Sequence, residues 1–271
     1  MRASIQILVN FLRKIIQGRS LIKNLVLRDL RQRYVGSFVG LAWSIVHPIV
    51  LLASYTFVFS IIFRVKLGGE TGGTNFPVFL FAGILPWLTF QDTVMRSSTT
   101  MLENSNLITK TIFPAEFLPL AILLSNAVNH LIGLAVLLIV AIGFFHKLSW
   151  VLLLLPAVLF FLFLFTLGFS WLVSALNVFL RDTAQVLVIL LTFWFWFTPI
   201  FFTERLMPEP LRFALQLNPL AHIVSAYRDC ILHAQVPELR QWLWMAAFSG
   251  AMFCAGALFL RYTKRAFADV L

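Results

Sequence analysis

Few residues in this sequence have the types and spacing that catalysis requires. The 271-residue chain has only eleven Asp and Glu, and one of them, Asp92, falls inside an apolar run. Because Arg96 follows one helical turn later, we expect the two side chains to form an ion pair, the alternative being a proton relay. The sequence lacks the G-x-x-x-x-G-K-[ST] loop that binds nucleotide phosphates, H-E-x-x-H, and the His and Cys spacing of zinc sites. Any ATP that drives this protein is therefore expected to bind another chain.

Polar and aromatic residues inside apolar runs could also bind a ligand. Ser125, Asn126, Asn129 and His130 lie near the middle of one run, where residues four apart share a helix face. Two explanations stay open for them: hydrogen bonds between helices, or contact with a hydroxyl-rich substrate. Five successive aromatic residues at 193–197 fit either an interfacial belt or a path for sugars, whose rings stack on aromatic faces. Since these five point around the whole helix, some of them must face protein or a pathway.

The composition indicates that these residues are held by membrane-spanning helices. The chain is 60% apolar and 12% charged, with a mean hydropathy of +0.90, whereas soluble domains are about a quarter charged. Crossing the hydrocarbon takes roughly 20 apolar residues. Six runs qualify, at 38–63, 76–95, 117–145, 150–179, 184–202 and 242–262. We predict an all-α membrane protein with six transmembrane helices.

The distribution of Lys and Arg predicts the orientation. With the N-terminus in the cytoplasm, about two thirds of the Lys and Arg residues fall in inner segments, as the positive-inside rule requires. Both termini are therefore placed in the cytoplasm. The net charge of +10 favours contact with anionic lipid headgroups over nucleic acid.

Residues 1–37 are predicted to form amphipathic helices on the membrane surface, preceding a membrane domain at 38–271. Apolar residues recur at helical spacing through residues 5–16 and again at Ile22, Val26, Leu30 and Tyr34, with Lys and Arg on other faces. Two roles stay open for this region. It is either a solvated anchor or a basic collar that receives an anionic, lipid-linked substrate.

Two loops are expected to contain short helices. The inner loop at 96–116 carries Leu102, Leu107, Ile108 and Ile112 among polar residues, which suits a short helix that docks in a partner's groove, the alternative being a solvated loop. The outer segment between the fifth and sixth runs has helical patterns at 211–217 and 220–232, each too short to cross the membrane. It is predicted to form a re-entrant or surface-lying helical hairpin that caps the outer mouth.

Six segments in order along the chain carry a family resemblance. They are LRDLRQRYVGSFVGLAWSIVHPIV (27–50), FPVFLFAGILPWLTF (76–90), ENSNLITKTIFP (103–114), LNVFLRD (176–182), FWFWFTPI (193–200) and LNPLAHIVSAYRDCIL (217–232). Together they resemble the membrane subunits of ABC-2 type polysaccharide exporters, which move O-antigen, capsule or teichoic-acid polymers. The O-antigen type resembles this chain somewhat more closely than the capsule type does.

The resemblance implies a transport subunit of the bacterial cytoplasmic (inner) membrane, without catalytic residues, metal or cofactor of its own. Such a subunit pairs with a second copy of itself and with two ATP-binding cassette ATPase subunits that hold ATP and Mg²⁺. It would export an undecaprenyl-diphosphate-linked polysaccharide and contact membrane lipids, but no nucleic acid. The alternatives are an ABC-2 exporter of capsule, teichoic acid, drugs or lipids and, less favoured, an ion-coupled flippase or an intramembrane enzyme.

The resemblance also implies residue roles, position by position. Coupling to the ATPase would involve Glu103, Asn104, Asn106, Leu107, Ile108 and Lys110. The cytoplasmic substrate entrance would be bordered by Arg28, Arg31, Arg33 and Tyr34. Candidates for lining the channel are Trp43, Tyr55, Trp87, Trp194 and Trp196. The outer cap would include Leu211, Tyr227 and Arg228.

Overall fold

A computed structural model of the chain describes residues 16–34, 40–63, 76–110, 113–145, 149–203 and 207–270. Every regular element within these ranges is a helix. The all-α fold class predicted from the hydropathy pattern is therefore confirmed for the described residues. Residues 1–15 of the amphipathic region and Ile112 of the inner loop lie outside them.

The helices are numbered here in chain order. They are α1 (Arg19–Tyr34), α2 (Trp43–Tyr55), α3 (Phe76–Glu103), α4 (Ser105–Lys110), α5 (Phe117–Phe145), α6 (Leu155–Phe179), α7 (Thr183–Trp196), α8 (Glu209–Gln216), α9 (Pro219–Arg228), α10 (Leu239–Thr263) and α11 (Phe267–Val270). Two of them continue as π-helical turns, α2 through Thr56–Ile62 and α9 through Asp229–His233. The short helix predicted in the inner loop is confirmed as α4, and the two predicted between the fifth and sixth runs are confirmed as α8 and α9.

Within the described residues, four helical segments are long and apolar enough to cross a bilayer. They are Phe76–Glu103, Phe117–Gly143, Trp150–Phe179 and Leu239–Ala266. The other two predicted spans correspond to shorter apolar helices, Trp43–Phe59 and Thr183–Trp196. The 14 residues of α7 extend only about 21 Å at 1.5 Å per residue, which is less than the thickness of the hydrocarbon core.

Helix α3 lies at the centre of the bundle. Its most apolar window is 78% buried, against 28% for the corresponding window of α10, so α10 lies at the periphery. Helix α3 packs on α5, α6 and α9, while α10 packs mainly on α6. The two ends of the bundle are called the α4 end, which also contains α1 and α11, and the α9 end, which also contains α8.

Helices α6 and α10 approach each other closely because glycines lie at their contact. A Cβ atom added to Gly256 would lie 3.0 Å from the Cα of Gly168, and one added to Gly168 would lie 2.6 Å from the Cα of Phe253. Small residues allow this backbone contact between helices in a membrane. The hydroxyl of Ser249 on α10 also donates to the carbonyl of Phe161 on α6 at 2.9 Å.

Candidate functional site

A cavity of 540 Å³ lies between α1, α2, α3 and α5. Its walls include apolar side chains such as Leu51, Phe81, Leu85 and Leu88. Its polar lining includes Arg33, His47, Gln91, Asp92, Asn126 and Asn129. This lining brings together Asp92 of the second apolar run, Asn126, Asn129 and His130 of the third, and Arg33 of the proposed collar. Ser125 of the third run is not among the residues that line it.

The charged groups where α1 meets this cavity are paired across helices. The Nε of Arg33 donates to Asp29 at 3.2 Å, its Nη2 lies 3.6 Å from a carboxylate oxygen of Asp92, and Nη2 also donates to Asn126. The second arginine, Arg96, donates to Asp29. The prediction that Asp92 and Arg96 form an ion pair is therefore wrong. The reason is tertiary: α1 packs beside α3 and α5 and offers each of these two side chains an oppositely charged partner.

Buried hydrogen bonds connect α5 to α3 beside this charged group. Asn126 donates to the hydroxyl of Thr93 at 2.8 Å. The hydroxyl of Thr89 donates to the Leu85 carbonyl at 3.0 Å and so accepts from Nδ1 of His130, 2.7 Å away. Hydrogen bonding between helices, one of the two explanations left open, is thus confirmed for Asn126 and His130.

The other ring nitrogen of His130 connects α5 to the α9 end. With Nδ1 of His130 donating, its Nε2 accepts from the hydroxyl of Tyr227, 3.2 Å away. Both side chains are buried. Tyr227, predicted in an outer cap, therefore joins α9 to the middle of α5.

The next residue, Arg228, is a buried arginine whose partners are backbone carbonyls. Its guanidinium donates to the carbonyl oxygens of Phe79 at 3.2 Å and of Pro199 and Ile200 at 2.6 Å each, and it lies 3.6 Å above the ring centre of Phe79. Gly83 leaves room for it, because a Cβ there would lie 3.0 Å from its Cζ. Arg228 therefore ties α9 both to α3 and to the segment after α7.

Asn218 is a connecting residue that the sequence reasoning missed. Its Oδ1 accepts from Nε1 of Trp194 at 2.9 Å and from the backbone N–H of Leu220 at 3.1 Å. Its amide donates to the Phe197 carbonyl and the Thr198 hydroxyl at 3.1 Å each. The Asn-Pro pair at the start of a helical pattern was the available signal, because Asn is a preferred N-cap and proline a preferred first residue.

The structure describes the side chains of Tyr227 and Arg228, two of the three residues predicted in the outer cap, but not that of the third, Leu211. The backbone of Leu211 lies in α8, but its side chain is not among the described parts. Tyr227 and Arg228 are 0% and 5% exposed, so they hold α9 to the bundle and present little surface.

The proposed channel aromatics fall into three groups within one copy of the chain. Trp43 and Trp196 are 46% and 62% exposed. Tyr55 and Trp194 are partly buried and pack against the core, and Trp87 is fully buried, donating to Gln91 at 2.6 Å. The expectation that the aromatic run of α7 faces more than one environment is confirmed, because its partly buried members pack on the core while Trp196 is exposed.

Helix α4 and its surroundings present mostly polar side chains at their end of the bundle. Glu103, Asn106 and Lys110 are exposed, while Leu107 is partly buried. Ile108 packs against the apolar cluster that contains Phe267 of α11.

Of the proposed entrance residues, Arg28 and Arg31 are exposed and Arg33 is partly buried. Arg28 donates to the side-chain oxygen of Asn104 at 3.1 Å, which links α1 to the residue that precedes α4. Tyr34 ends α1, and its side chain is not among the described parts.

Comparisons with known proteins cover nearly the whole chain. An O-antigen export system permease protein RfbA from Myxococcus xanthus is 28% identical over 264 residues, 97% of this chain and 99% of that protein. An RfbA of the same description from Klebsiella pneumoniae is 28% identical over 247 residues, 90% of this chain and 92% of that protein. The polysialic acid transport protein KpsM of Escherichia coli is 23% identical over 248 residues, 90% of this chain and 94% of that protein.

The family model of the ABC-2 type transporter matches residues 20–232. These residues run from the start of α1 almost to the end of the π-helical turn after α9, and they include the cavity, α4, α8 and α9. The chain is therefore a member of the ABC-2 type transporter family, a family of membrane transport subunits.

Proposed function

We propose that this chain is the permease subunit of an ATP-driven exporter that carries a lipid-linked polysaccharide of the O-antigen type across the bacterial inner membrane. The observation that carries the proposal is the similarity to O-antigen export permeases over 97% of the chain. Capsule export is the second candidate, because a polysialic acid transporter is also similar, at lower identity.

The proposed topology has six spans with both termini, α1 and α4 in the cytoplasm. Helix α2 and its π-helical turn cover Trp43–Ile62, which amounts to about 30 Å and suffices for a span. The shorter α7 would complete its crossing through the segment that Arg228 and Asn218 hold. Arg28, Arg31 and Lys110 place positive charge at the α4 end, as expected of a cytoplasmic end.

The proposed outer cap is a re-entrant hairpin formed by α8 and α9. Helix α9 packs against α3, α6 and α10, and the carbonyls after α7 are bonded to Arg228. These contacts supply the protein cover that irregular backbone needs inside a bilayer.

The energy for export would come from two ATPase subunits, which bind ATP and Mg²⁺, acting on two copies of this chain. Helix α4 is the proposed contact, because its exposed polar side chains lie between the long helices α3 and α5. The contact between Arg28 and Asn104 would pass a movement of α4 on to α1.

In this scheme the glycan diphosphate meets the collar of α1, where exposed Arg28 and Arg31 can form charge-assisted hydrogen bonds to phosphate. The channel would form between the two copies. Trp43 and Trp196 can contact a passing glycan because their side chains are exposed, whereas Trp87 and Trp194 would support that surface from behind.

Deletion of the gene in its host tests the proposal. The expected result is that polysaccharide is still synthesised but accumulates inside the cell, measured by comparing surface labelling with total extraction. Unchanged surface polysaccharide would exclude the proposed function. In inverted membrane vesicles containing the ATPase, export should require ATP and continue after the proton gradient is collapsed, whereas an ion-coupled flippase would behave in the opposite way.

A further inference from the structure

We infer that the cavity between α1, α2, α3 and α5 binds the first sugar of the exported lipid-linked glycan, while the phosphates remain outside it on α1. The inference rests on the proposed function and adds a substrate subsite to it. It depends on three features: the charge balance at Arg33, the groups that line the rest of the cavity, and their position relative to the collar.

The pairing of the arginines with carboxylates argues against binding of phosphate in the cavity. Arg33 already contacts the carboxylates of Asp29 and Asp92 and the amide oxygen of Asn126. Arg96 shares Asp29, so two guanidinium groups face two carboxylates. A phosphate would have to displace these carboxylates from the arginines and would then lie beside them, which like-charge repulsion opposes.

The remaining polar lining has the chemistry that sugar hydroxyl groups require. The side chain of Asp92 is 50% exposed and can accept hydrogen bonds. His47 is exposed on α2 and lines the same cavity. Gln91 uses its side-chain oxygen for Trp87, so its amide group can donate toward a ligand. Hydroxyl groups both donate and accept, and a neutral group with mixed donors and acceptors suits this set better than an anion does.

The apolar part of the lining fits the faces of a sugar ring that carry C–H groups. Trp43 lies at the cavity with 46% of its surface exposed and offers an aromatic ring. Leu85 and Leu88 provide an aliphatic wall for ring C–H groups. The volume of 540 Å³ lies within the roughly 300–1,000 Å³ typical of small-molecule sites.

The position of the cavity matches the covalent order of a lipid-linked glycan. Arg33 lies where α1 meets the cavity, while Arg28 and Arg31 are exposed on the same helix outside its lining. These arginines lie five and two residues before Arg33, so a diphosphate bound by them would lie within about 8 Å, measured along the axis of α1, of the arginine at the cavity. Ile45 and Ile49 of α2 are 49% and 48% exposed and offer an apolar surface for the prenyl chain beside it.

Binding of two carriers to the purified complex with its ATPase, in lipid nanodiscs, tests this inference. The probes are undecaprenyl diphosphate and undecaprenyl diphosphate bearing one N-acetylglucosamine. The wild-type complex should bind the sugar-bearing carrier about ten-fold more tightly, which corresponds to about 1.4 kcal/mol. Equal affinity for the two carriers, or no binding of either, overturns the subsite.

Substitutions in the cavity lining then test which residues cause the tighter binding of the sugar-bearing carrier. His47→Leu and Asp92→Asn should each weaken binding of the sugar-bearing carrier by about ten-fold, and His47→Gln should recover part of the loss because it keeps a hydrogen-bonding group. The control is Gln185→Leu, an exposed position on α7 outside the cavity, which should leave both affinities unchanged. A His47→Leu variant that weakened both carriers equally would contradict sugar recognition.

Failure of the sugar subsite can be distinguished from failure of the proposed export function. Surface polysaccharide that depends on this chain, combined with a wild-type complex that does not prefer the sugar-bearing carrier, would disprove the subsite alone. Thermal unfolding and ATPase co-purification of each variant exclude misassembly as the cause of a lost preference.

Discussion

A charged side chain persists in the interior of a membrane protein only where its neighbours satisfy it, and Arg228 is such a case. Three carbonyl oxygens and the face of Phe79 surround its guanidinium. Two of those carbonyls, of Pro199 and Ile200, follow the end of α7 and lack helical partners there. One side chain thus replaces the hydrogen bonds that an unbroken helix would have supplied.

Replacing this arginine should destabilise the fold. Arg228→Met keeps much of the side-chain volume but leaves buried carbonyls without donors, which costs about 2–4 kcal/mol in free energy of unfolding. Thermal unfolding of the detergent-solubilised protein measures the loss. Arg240→Met is the control, because Arg240 is exposed and donates to a side-chain oxygen of Gln216; it should change stability by less than about 0.5 kcal/mol. Equal effects of the two substitutions would contradict the role assigned to Arg228.

At the scale of elements, the contact between α6 and α10 depends on the absence of side chains. The backbone of Gly168 lies against that of Gly256, so dispersion contacts between the two main chains hold α10 at the edge of the bundle. Position 250 on α10 differs, because a Cβ there meets no atom of the described residues within 4 Å.

Adding one methyl group at each position should therefore have opposite effects. Gly256→Ala should destabilise the protein by about 1–3 kcal/mol, since the new Cβ collides with backbone that cannot move aside. Gly250→Ala should leave stability unchanged or raise it by up to about 1 kcal/mol, because alanine favours the helix. Thermal unfolding of both variants in the same detergent provides the comparison, and a neutral Gly256→Ala would refute the close approach.

The proposed coupling role of α4 can be tested by reversing a charge beside it. Glu103 is exposed where α3 meets α4 and accepts a hydrogen bond from Thr99. Glu103→Arg reverses its charge, so co-purification of the ATPase should fall by about ten-fold or more while membrane insertion continues. The matched control is Glu209→Arg, an exposed charge reversal at the α9 end. Full recovery of the ATPase with Glu103→Arg would remove this residue from the proposed interface.

At the scale of the whole molecule, two of the described helices have apolar faces that other parts of the described chain leave uncovered. The central α3 is mostly buried, whereas α2 and α7 expose large apolar side chains such as Ile49, Phe57, Val186 and Ile189. These faces are available to lipid and to a second copy. In the proposed scheme, two copies would bring such faces together around the conduit.

The stoichiometry of the complex tests that scheme. Two chains of 30.9 kDa together with two ATPase subunits are expected in native mass spectrometry of the detergent-solubilised complex. The chain purified alone should hydrolyse no ATP. A complex with a single permease copy that still exports polymer would contradict the dimeric channel.

The sequence by itself determined the properties that are local along the chain. Hydropathy and helical spacing predicted the long helices, α4 and the pair α8 and α9, because apolar periodicity is a property of neighbouring residues. The same patterns indicated that buried polar residues such as Asn126 and His130 need partners. The family segments predicted the ABC-2 membership in the same way, since each is a short continuous match.

Only the tertiary structure decided which groups satisfy one another. Tyr227 and His130 are 97 residues apart in sequence, and Arg33 and Asn126 are 93 apart, so no local pattern could pair them. Sequence spacing favoured Arg96 as the partner of Asp92, yet packing of α1 on α5 brought Arg33 there instead. Buried polar groups take whichever partner the helix packing brings within hydrogen-bonding distance, and that packing depends on contacts along the whole chain.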